Sequence, residues 1–274
     1  MIDRELIKRA ISEDLAGGVD ITSMATLSAD LKVSAQFVAR KDGVIAGLEM
    51  AIATLAEVGV TGANVLVKDG DHVKAGTVLI EVAGNARGIL LAERTALNFL
   101  GHLSGIATLT AQWVQAVAGT KTQIRDTRKT TPGMRVIEKY AVRMGGGTNH
   151  RMSLSDAALI KDNHIAAAGG VVKAFSLVRE KFPTSEIEIE VDNLHQLREV
   201  LPLKPELVLL DNMSPSQCAE AVALVAGTTK LEASGGITIE NARAYAESGV
   251  DFIAVGALTH SAPNFDIGLD MRVE

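Results

Sequence analysis

The sequence predicts an α/β protein whose C-terminal part is an incomplete (β/α) barrel. From Thr120 onward, short runs rich in Val, Ile and Leu alternate with helical patterns, which is typical of a parallel sheet with right-handed crossovers. Polar residues recur where these runs end, and a barrel gathers such strand ends at one mouth. This part is also shorter than the roughly 250 residues of a complete barrel. An open doubly wound sheet is the alternative, in which only residues near the switch point would share a ligand.

The N-terminal part mixes helices with strands. Residues 3–15 have the apolar spacing of an amphipathic helix, residues 31–40 alternate like a strand, and residues 49–58 are expected to be helical. Residues 64–84 predict a strand, an Asp-Gly turn and a second strand that together form a hairpin-rich module. This segment resembles half of a biotinyl or lipoyl carrier domain. A carrier lysine is needed earlier in the chain, whereas Lys68 lies inside the hairpin motif, so a structural module is favoured.

Helical character dominates residues 86–119, and β-then-α alternation follows. Strands are expected at residues 122–127, 156–162, 186–191, 206–211, 230–234 and 251–256. Helices are expected within residues 132–144, 171–182, 193–201, 214–226 and 238–249. Their predicted N-caps are Asn193, Ser214 followed by Pro215, and Thr238 with Glu240.

Composition excludes several classes of function. Aromatic residues make up 3% of the chain, which argues against binding single-stranded nucleic acid by stacking, and the net charge of -6 argues against a general phosphate-backbone binder. No apolar run approaches the roughly 20 residues that span a membrane. The single cysteine, Cys218, is expected in a buried helix, and a chain without a disulfide framework fits the cytoplasm. We expect no nucleic-acid or membrane partner.

Cations are dense between Asp126 and His164. The pairs Arg128-Lys129 and His150-Arg151, together with Lys161, lie where an apolar or Gly-rich run ends. Cations held at such ends by a rigid scaffold suit a ligand with several negative charges. Surface ion pairs are the alternative interpretation. Lys139 and Arg143 differ, because their i,i+4 spacing predicts a solvated helix face.

Two further groups of residues complete the expected mouth. Ser234-Gly235-Gly236 precedes an expected helix N-terminus, and Gly256-Ala257 follows the last strand, so both turns suit a phosphate group. Ordinary βα turns are the alternative. Glu190 and Asp211 end strands that should be neighbours, where carboxylates would hold ribose hydroxyls or Mg²⁺, or would pair with the cations.

Several motifs together resemble the quinolinate phosphoribosyltransferase family, the carboxylating nicotinate-nucleotide pyrophosphorylases. The resemblance runs from the first helix to the C-terminus. It rests on ERTALNF, DTRKTTPG, GGGTNHR, LIKDNH, EIEVDN, LLDN, SGGI and VGALTHSAP. Many relatives have Cys where Met144 stands.

The resemblance implies an N-terminal α/β sandwich domain, residues 1–105 joined by residues 264–274, and an incomplete barrel over residues 106–263. It implies a cytoplasmic homodimer that uses Mg²⁺. The implied reaction joins quinolinate and phosphoribosyl pyrophosphate to give nicotinate mononucleotide, pyrophosphate and CO₂, a step of de novo NAD biosynthesis. A related molybdenum-associated protein and a non-catalytic sugar-phosphate binder are the rival interpretations.

The resemblance also implies roles for single residues. The quinolinate carboxylates would be bound by Arg128, His150, Arg151 and Lys161, and by Arg94 from the partner subunit, although Arg94 alone would be interpreted as a surface helix charge. The ribose, pyrophosphate and metal would be contacted by Lys129, Glu190 and Asp211. The 5-phosphate would be held by Ser234, Gly235, Gly256 and His260. Substrate contacts are also expected at Thr127, Gly236, Val255 and Ala257. The residues expected to act in catalysis are Lys129, Lys161, Glu190 and Asp211, and the metal would be held by Glu190 and Asp211, largely through the substrate.

Overall fold

The structure is a computed structural model that describes residues 2–273. Its chain divides into two compact units. The first comprises Met1–Leu109, Tyr140–Gly146 and Ser261–Glu274, and the second comprises Thr110–Lys139 and Gly147–His260. Two helices, α4 (Ala86–Ala116) and α5 (Arg135–Met144), have residues in both units. Within the described residues, no helix has both the length and the apolar content needed to cross a membrane.

The first unit is an α/β sandwich built on an antiparallel sheet. Its helices besides α4 are α1 (Arg4–Leu15), α2 (Ile21–Thr26) and α3 (Leu48–Glu57). Its strands are β1 (Lys32–Ala39), β2 (Gly43–Val44), β3 (Gly62–Val65), β4 (His72–Val73), β5 (Val78–Asn85) and β12 (Ile267–Val273). The larger sheet has the strand order β12-β1-β5-β3. Its core joins alternate residues of β1, such as Phe37, to apolar residues of α3 and α4, such as Leu55 and Leu100.

The expected Asp-Gly hairpin is wrong. The strands on the two sides of Asp69-Gly70, β3 and β4, do not pair with each other; β3 pairs with β5, and β4 pairs with β2. Gly70 has φ +94°, so the turn itself is present. The prediction failed because strand pairing is decided by non-local packing, which a short turn signal does not contain. The short helix α2 was also absent from the predictions.

The second unit is an incomplete (β/α) barrel, as predicted. Its strands are β6 (Gln123–Arg125), β7 (Ala158–Ile160), β8 (Ile187–Val191), β9 (Leu207–Asp211), β10 (Lys230–Ser234) and β11 (Phe252–Ala254). Its helices besides α4 and α5 are α6 (Asp162–Ala168), α7 (Val171–Lys181), α8 (Leu194–Val200), α9 (Pro215–Val225), α10 (Ala242–Glu247) and α11 (Ala257–His260), with a 3₁₀ turn at Leu201–Leu203. All five strand pairings are parallel, in the order β6-β11-β10-β9-β8-β7. The two ends of this order are β6 and β7, so the barrel is short of a full set of strands.

Side-chain caps explain where two of the outer helices, α8 and α9, begin. Asn193 accepts a hydrogen bond from the Gln196 backbone N–H at 3.0 Å, and Ser214 caps α9 with Pro215 at the first helical position. The predicted cap at Thr238 is wrong, because α10 begins at Ala242. The residues in between form a turn in which the Asn241 side chain accepts from the Thr238 backbone N–H. Helix α6, which begins within LIKDNH at Asp162, was not predicted.

Candidate active site

The C-terminal ends of the barrel strands enclose a cavity of about 560 Å³. It is lined by ten of the residues expected from the sequence: Thr127, Arg128, Lys129, His150, Arg151, Lys161, Glu190, Asp211, Ser234 and Gly235. These residues come from segments far apart in the chain, and the parallel sheet brings them together because all its strands point the same way. The expected mouth is therefore a real cavity within the second unit.

Arg128 and Arg151, two cations of the cavity lining, each have a hydrogen-bond donor that the described part of the protein leaves unused. The Nε atoms of Arg128 and Arg151 are buried and have no hydrogen-bond partner among the described residues. Arg151 Nη1 donates to the Ala157 carbonyl oxygen at 2.7 Å, which fixes one arm of its guanidinium. Burial lowers the pKa of Arg151, and the nearby positive charge of Arg128 lowers it further. Two neighbouring cations with unused donors form a site for an anion, preferably one with planar carboxylates.

His150 lines the same cavity, yet both of its ring nitrogens are engaged by the protein. The Arg151 backbone N–H donates to His150 Nδ1 at 2.7 Å, and His150 Nε2 lies 2.6 Å from Glu188 Oε2. Because Nδ1 accepts, the ring proton lies on Nε2 and is donated to Glu188. Burial lowers the pKa of His150, which favours the neutral ring over the imidazolium.

The backbone of the His150-Arg151 dipeptide is held by a buried ion pair. Lys139 Nζ lies 2.6 Å from Asp126 Oδ1 and donates to the carbonyl oxygens of His150 at 2.8 Å and Arg151 at 3.0 Å. Asp126 also accepts from the His150 backbone N–H at 2.8 Å and from the Asn149 side chain at 2.5 Å. Burial raises the pKa of Asp126 and lowers that of Lys139, while their mutual contact opposes both changes.

The solvated position expected for Lys139 is therefore wrong. Its side chain is completely buried, whereas Arg143, four residues later on α5, is exposed as predicted. Helical spacing shows only that two residues share a side of the helix. It does not show whether one of the two side chains is buried against a carboxylate such as that of Asp126.

The carboxylates of the cavity lie on neighbouring strands, as predicted. Glu190 is on β8 and Asp211 ends β9, and these strands pair. Lys161 Nζ lies 3.2 Å from Glu190 Oε2, and the Asp162 backbone N–H donates to Glu190 Oε1 at 3.3 Å. Carboxylate oxygens of Glu190, Asp192 and Asp211 lie within 4.8 Å of one another. An all-oxygen donor set of this size fits Mg²⁺, which takes one or two carboxylates and completes its shell with substrate and water.

The backbone geometry of the turn after β10 explains why glycine occupies positions 235 and 236. Gly235 has φ +89° and Gly236 has φ +62°, conformations that favour glycine. A Cβ at Gly235 would also lie 3.0 Å from the Asn212 backbone nitrogen. The turn does not lead directly into a helix as expected, because α10 starts only at Ala242.

The remaining expected residues do not line this cavity, although one group of them lies beside it. A Cβ at Gly256 would come 2.9 Å from Lys129 Cδ and 3.3 Å from His260 Nε2. The Thr259 hydroxyl donates to the Lys129 carbonyl oxygen at 2.9 Å. The turn that begins at Gly256 therefore packs against Lys129. The other expected residues outside the lining are Gly236, Val255, Ala257 and Arg94. Arg94 is exposed on α4, in the first unit.

Five lining residues were not predicted: Leu159, Leu209, Asn212, Glu232 and Ala254. Besides Glu232, a second buried acid, Glu188, lies close to the cavity residue His150, and the sequence contained a signal for it. In EIEIEV, alternate residues share a face, so Glu188 must point to the same side of β8 as Glu190. Both Glu188 and Glu232 are buried, and burial raises the pKa of each to about 7. No comparable pattern marks Glu232, the single acid in KLEAS.

Comparison with known proteins accounts for nearly the whole chain. The family model of the quinolinate phosphoribosyl transferase N-terminal domain matches residues 20–104, and that of the C-terminal domain matches residues 106–270. The chain is 53% identical to nicotinate-nucleotide pyrophosphorylase (carboxylating) of Mycobacterium leprae, covering 98% of this chain and 96% of the relative. It is 40% identical to the chloroplastic enzyme of the same name from Arabidopsis thaliana, covering 99% of this chain and 83% of the relative.

Solved structures agree with the sequence comparisons. The chain superposes on nicotinate-nucleotide pyrophosphorylase from Ehrlichia chaffeensis with a TM-score of 0.92 at 41% identity, covering 98% of both chains. The corresponding structure from Francisella tularensis gives a TM-score of 0.93 at 38% identity, covering 98% of this chain and 95% of the other. With both family domains matched in order and close relatives covering the full fold, this chain belongs to the quinolinate phosphoribosyltransferase family.

Proposed function

We propose that this protein transfers the phosphoribosyl group of phosphoribosyl pyrophosphate to quinolinate with loss of CO₂, giving nicotinate mononucleotide and pyrophosphate. Family membership supports the reaction. The observation that carries the choice of a dicarboxylate substrate is the pair Arg128 and Arg151, which line a shared cavity and each keep a buried Nε donor without a hydrogen-bond partner among the described residues. Two carboxylates on one ring need two cationic anchors, and a guanidinium can bind each in a bidentate manner.

The order of bond changes follows from the two anchored ends. The pyridine nitrogen of quinolinate attacks C1 of the ribosyl group while the C1–O bond to pyrophosphate breaks. Positive charge that develops on the sugar is stabilised by the carboxylates of Glu190 and Asp211. Holding the dicarboxylate and the sugar phosphate at opposite ends of the cavity aligns nitrogen and carbon for this displacement.

Decarboxylation then proceeds on the ring that has become a pyridinium cation. The C–C bond to the 2-carboxylate breaks, its electron pair stays on the ring carbon, and the cationic nitrogen stabilises that carbanion. A proton must be delivered to the carbon. Lys161, an ammonium of the cavity lining beside Glu190, is the group that we assign to supply it.

We further propose that Mg²⁺ is held by Glu190 and Asp211, mainly through the substrate, where it would neutralise charge on the pyrophosphate. The carboxylate cluster described above supports this assignment. The 5-phosphate is assigned to Ser234, Gly235, Gly256 and His260. We also propose a cytoplasmic homodimer in which Arg94 of one subunit completes the dicarboxylate end of its partner's cavity. The exposure of Arg94 on α4 and a chain with one buried cysteine, Cys218, are consistent with these proposals.

The test is a spectrophotometric assay with quinolinate, phosphoribosyl pyrophosphate and Mg²⁺, with nicotinate as the competing substrate. Arg128→Ala and Arg151→Ala should each abolish turnover of quinolinate while the circular dichroism spectrum and melting temperature stay close to those of the wild type. The matched control is Arg198→Ala, which removes an exposed arginine of α8 and should leave activity unchanged. Wild-type activity in either cavity variant would overturn the assignment of the carboxylate site.

A further inference from the structure

A second layer of ionisable groups lies in the barrel interior, one inward-facing position before Glu190 and Ser234 on their strands. Glu188 precedes Glu190 by two residues on β8, and Glu232 precedes Ser234 by two residues on β10. Their exposed fractions are 5% and 0%. Arg125, at the end of β6, donates from Nη1 to Glu232 Oε2 at 2.9 Å and stacks over the Phe252 ring at 4.0 Å. These charges form a connected group inside the barrel.

Stability alone does not account for this layer. Taking a carboxylate out of water costs several kcal/mol, and well-packed apolar residues are often as stable or more stable at such positions. Here one oxygen of each carboxylate, Oε1 of Glu188 and of Glu232, also has no hydrogen-bond partner in the described part of the chain. Buried polar atoms left in this state point to a role in the function of the site.

The layer meets the active site at His150, and Glu232 itself lines the cavity. Glu188 Oε2 lies 2.6 Å from His150 Nε2, and Glu232 Oε1 lies 3.7 Å from the same nitrogen. On its other side the ring accepts the Arg151 backbone N–H through Nδ1. The imidazole is thus held between the acidic layer and the backbone of the arginine that lines the cavity.

We propose that Glu188 and Glu232 are positioning residues that orient the imidazole of His150 and, through its bond to the Arg151 backbone, set the place of the Arg151 guanidinium. Glu188 acts directly, and Glu232, anchored by Arg125, closes the acidic layer behind the ring. The affinity for the dicarboxylate substrate then depends on side chains other than those assigned to bind it. The inference deepens the proposed function and rests on it.

Replacement of Glu188 tests this inference. Glu188→Leu removes the acceptor of the Nε2 proton while keeping a well-packed side chain, and Glu188→Gln retains an acceptor oxygen at the same distance from the backbone. We expect Glu188→Leu to raise KM for quinolinate about tenfold or more, the effect of losing one hydrogen bond to a charged group. KM for phosphoribosyl pyrophosphate should stay within about twofold, and Glu188→Gln should restore KM for quinolinate to near the wild-type value.

A spectroscopic readout separates positioning from general loss of structure. Ring ¹⁵N spectra of histidine-labelled protein, with His150→Asn to assign the signal, should show the Nε2–H tautomer in the wild type and in Glu188→Gln. Glu188→Leu should lose that tautomer preference. The matched control is Glu186→Leu, which makes the same change on the same face of the chain at an exposed position and should alter neither KM value.

If Glu188→Leu does not fold, Glu188→Asp tests the same inference. It keeps the carboxylate but withdraws its oxygens by the length of one methylene group, so it should also raise KM for quinolinate. An unchanged KM for quinolinate in a folded Leu variant, or in the Asp variant, would overturn the inference. An equal rise of both KM values would do the same. Failure of the proposed function is distinguishable, because wild-type protein would then show no turnover of quinolinate.

Discussion

Replacement of Lys139 by methionine should destabilise the barrel unit severely. The Lys139 and Asp126 side chains are both completely buried and 2.6 Å apart, and Lys139 Nζ makes two more hydrogen bonds, to the backbone carbonyl oxygens of His150 and Arg151. Methionine preserves most of the volume, so a cavity contributes little. The loss comes from leaving Asp126 buried without its cation, which costs about 3–5 kcal/mol in other proteins.

The measurement is urea unfolding followed by fluorescence of Trp113, the single tryptophan of the chain, which is buried and belongs to the second unit. Lys173→Met is the matched control, because it makes the same substitution at an exposed position of α7 and should stay within about 0.5 kcal/mol of the wild type. Adding Asp126→Asn to Lys139→Met should recover part of the loss. A Lys139→Met protein within about 1 kcal/mol of the wild type would refute this account of the pair.

Three further outcomes test other parts of the structure. Mixing Arg94→Ala with Lys161→Ala subunits should restore some activity if Arg94 serves the partner's cavity, and verified heterodimers without activity would refute the shared site. Burial raises the pKa of Glu232 from 4.5 to about 7, so the folded protein binds the Glu232 proton more tightly than the unfolded chain does. The stability that this proton contributes is fully present below pH 4.5 and is lost as the pH rises through 7. Melting temperatures between pH 5 and 8 should therefore decline less steeply for Glu232→Gln, and parallel curves would contradict this. Gly235→Ala should weaken binding of phosphoribosyl pyrophosphate at least tenfold in a titration, because Gly235 has φ +89° and an added methyl group would clash with the Asn212 side chain and lie 3.0 Å from its backbone nitrogen. Unchanged binding would show that the turn can shift.

Much of the barrel could be predicted because its signals are local. All six strands were expected, although each is equal to or shorter than its predicted range, since apolar runs continue into the polar residues that end a strand. Much of the polar part of the cavity lining followed from one rule, that parallel strands bring their C-terminal ends to one mouth. The prediction that residues near those ends lie together, such as Arg128, Lys161 and Asp211, required no information about side-chain packing.

What the sequence could not show depends on partners distant in the chain. Lys139 lies in a helix that looks amphipathic by spacing, and only the fold reveals that Asp126 faces it. Glu232 is a single acid in a short strand, and its electrostatic environment is set by Glu188 and Arg125, which lie on other strands. In the first unit, β3 pairs directly with β5, although β4 lies between them in the sequence, against the local turn signal. Non-local pairing of this kind is decided by burial over the whole sheet.

The final strand of the chain has a consequence for biosynthesis. Strand β12 pairs with β1 in antiparallel register, from Val33 opposite Val273 to Ala39 opposite Ile267, so the first sheet gains its outer member only after the whole barrel has been translated. Between the synthesis of β5 and that of β12 the ribosome must add the entire barrel, which takes roughly 10 to 40 s at about 5 to 20 residues per second. During that interval β1 presents an unpaired edge, a template for association between nascent chains. Loss of β12 would make this exposure permanent, so a protease cut before Ile267 would favour aggregation.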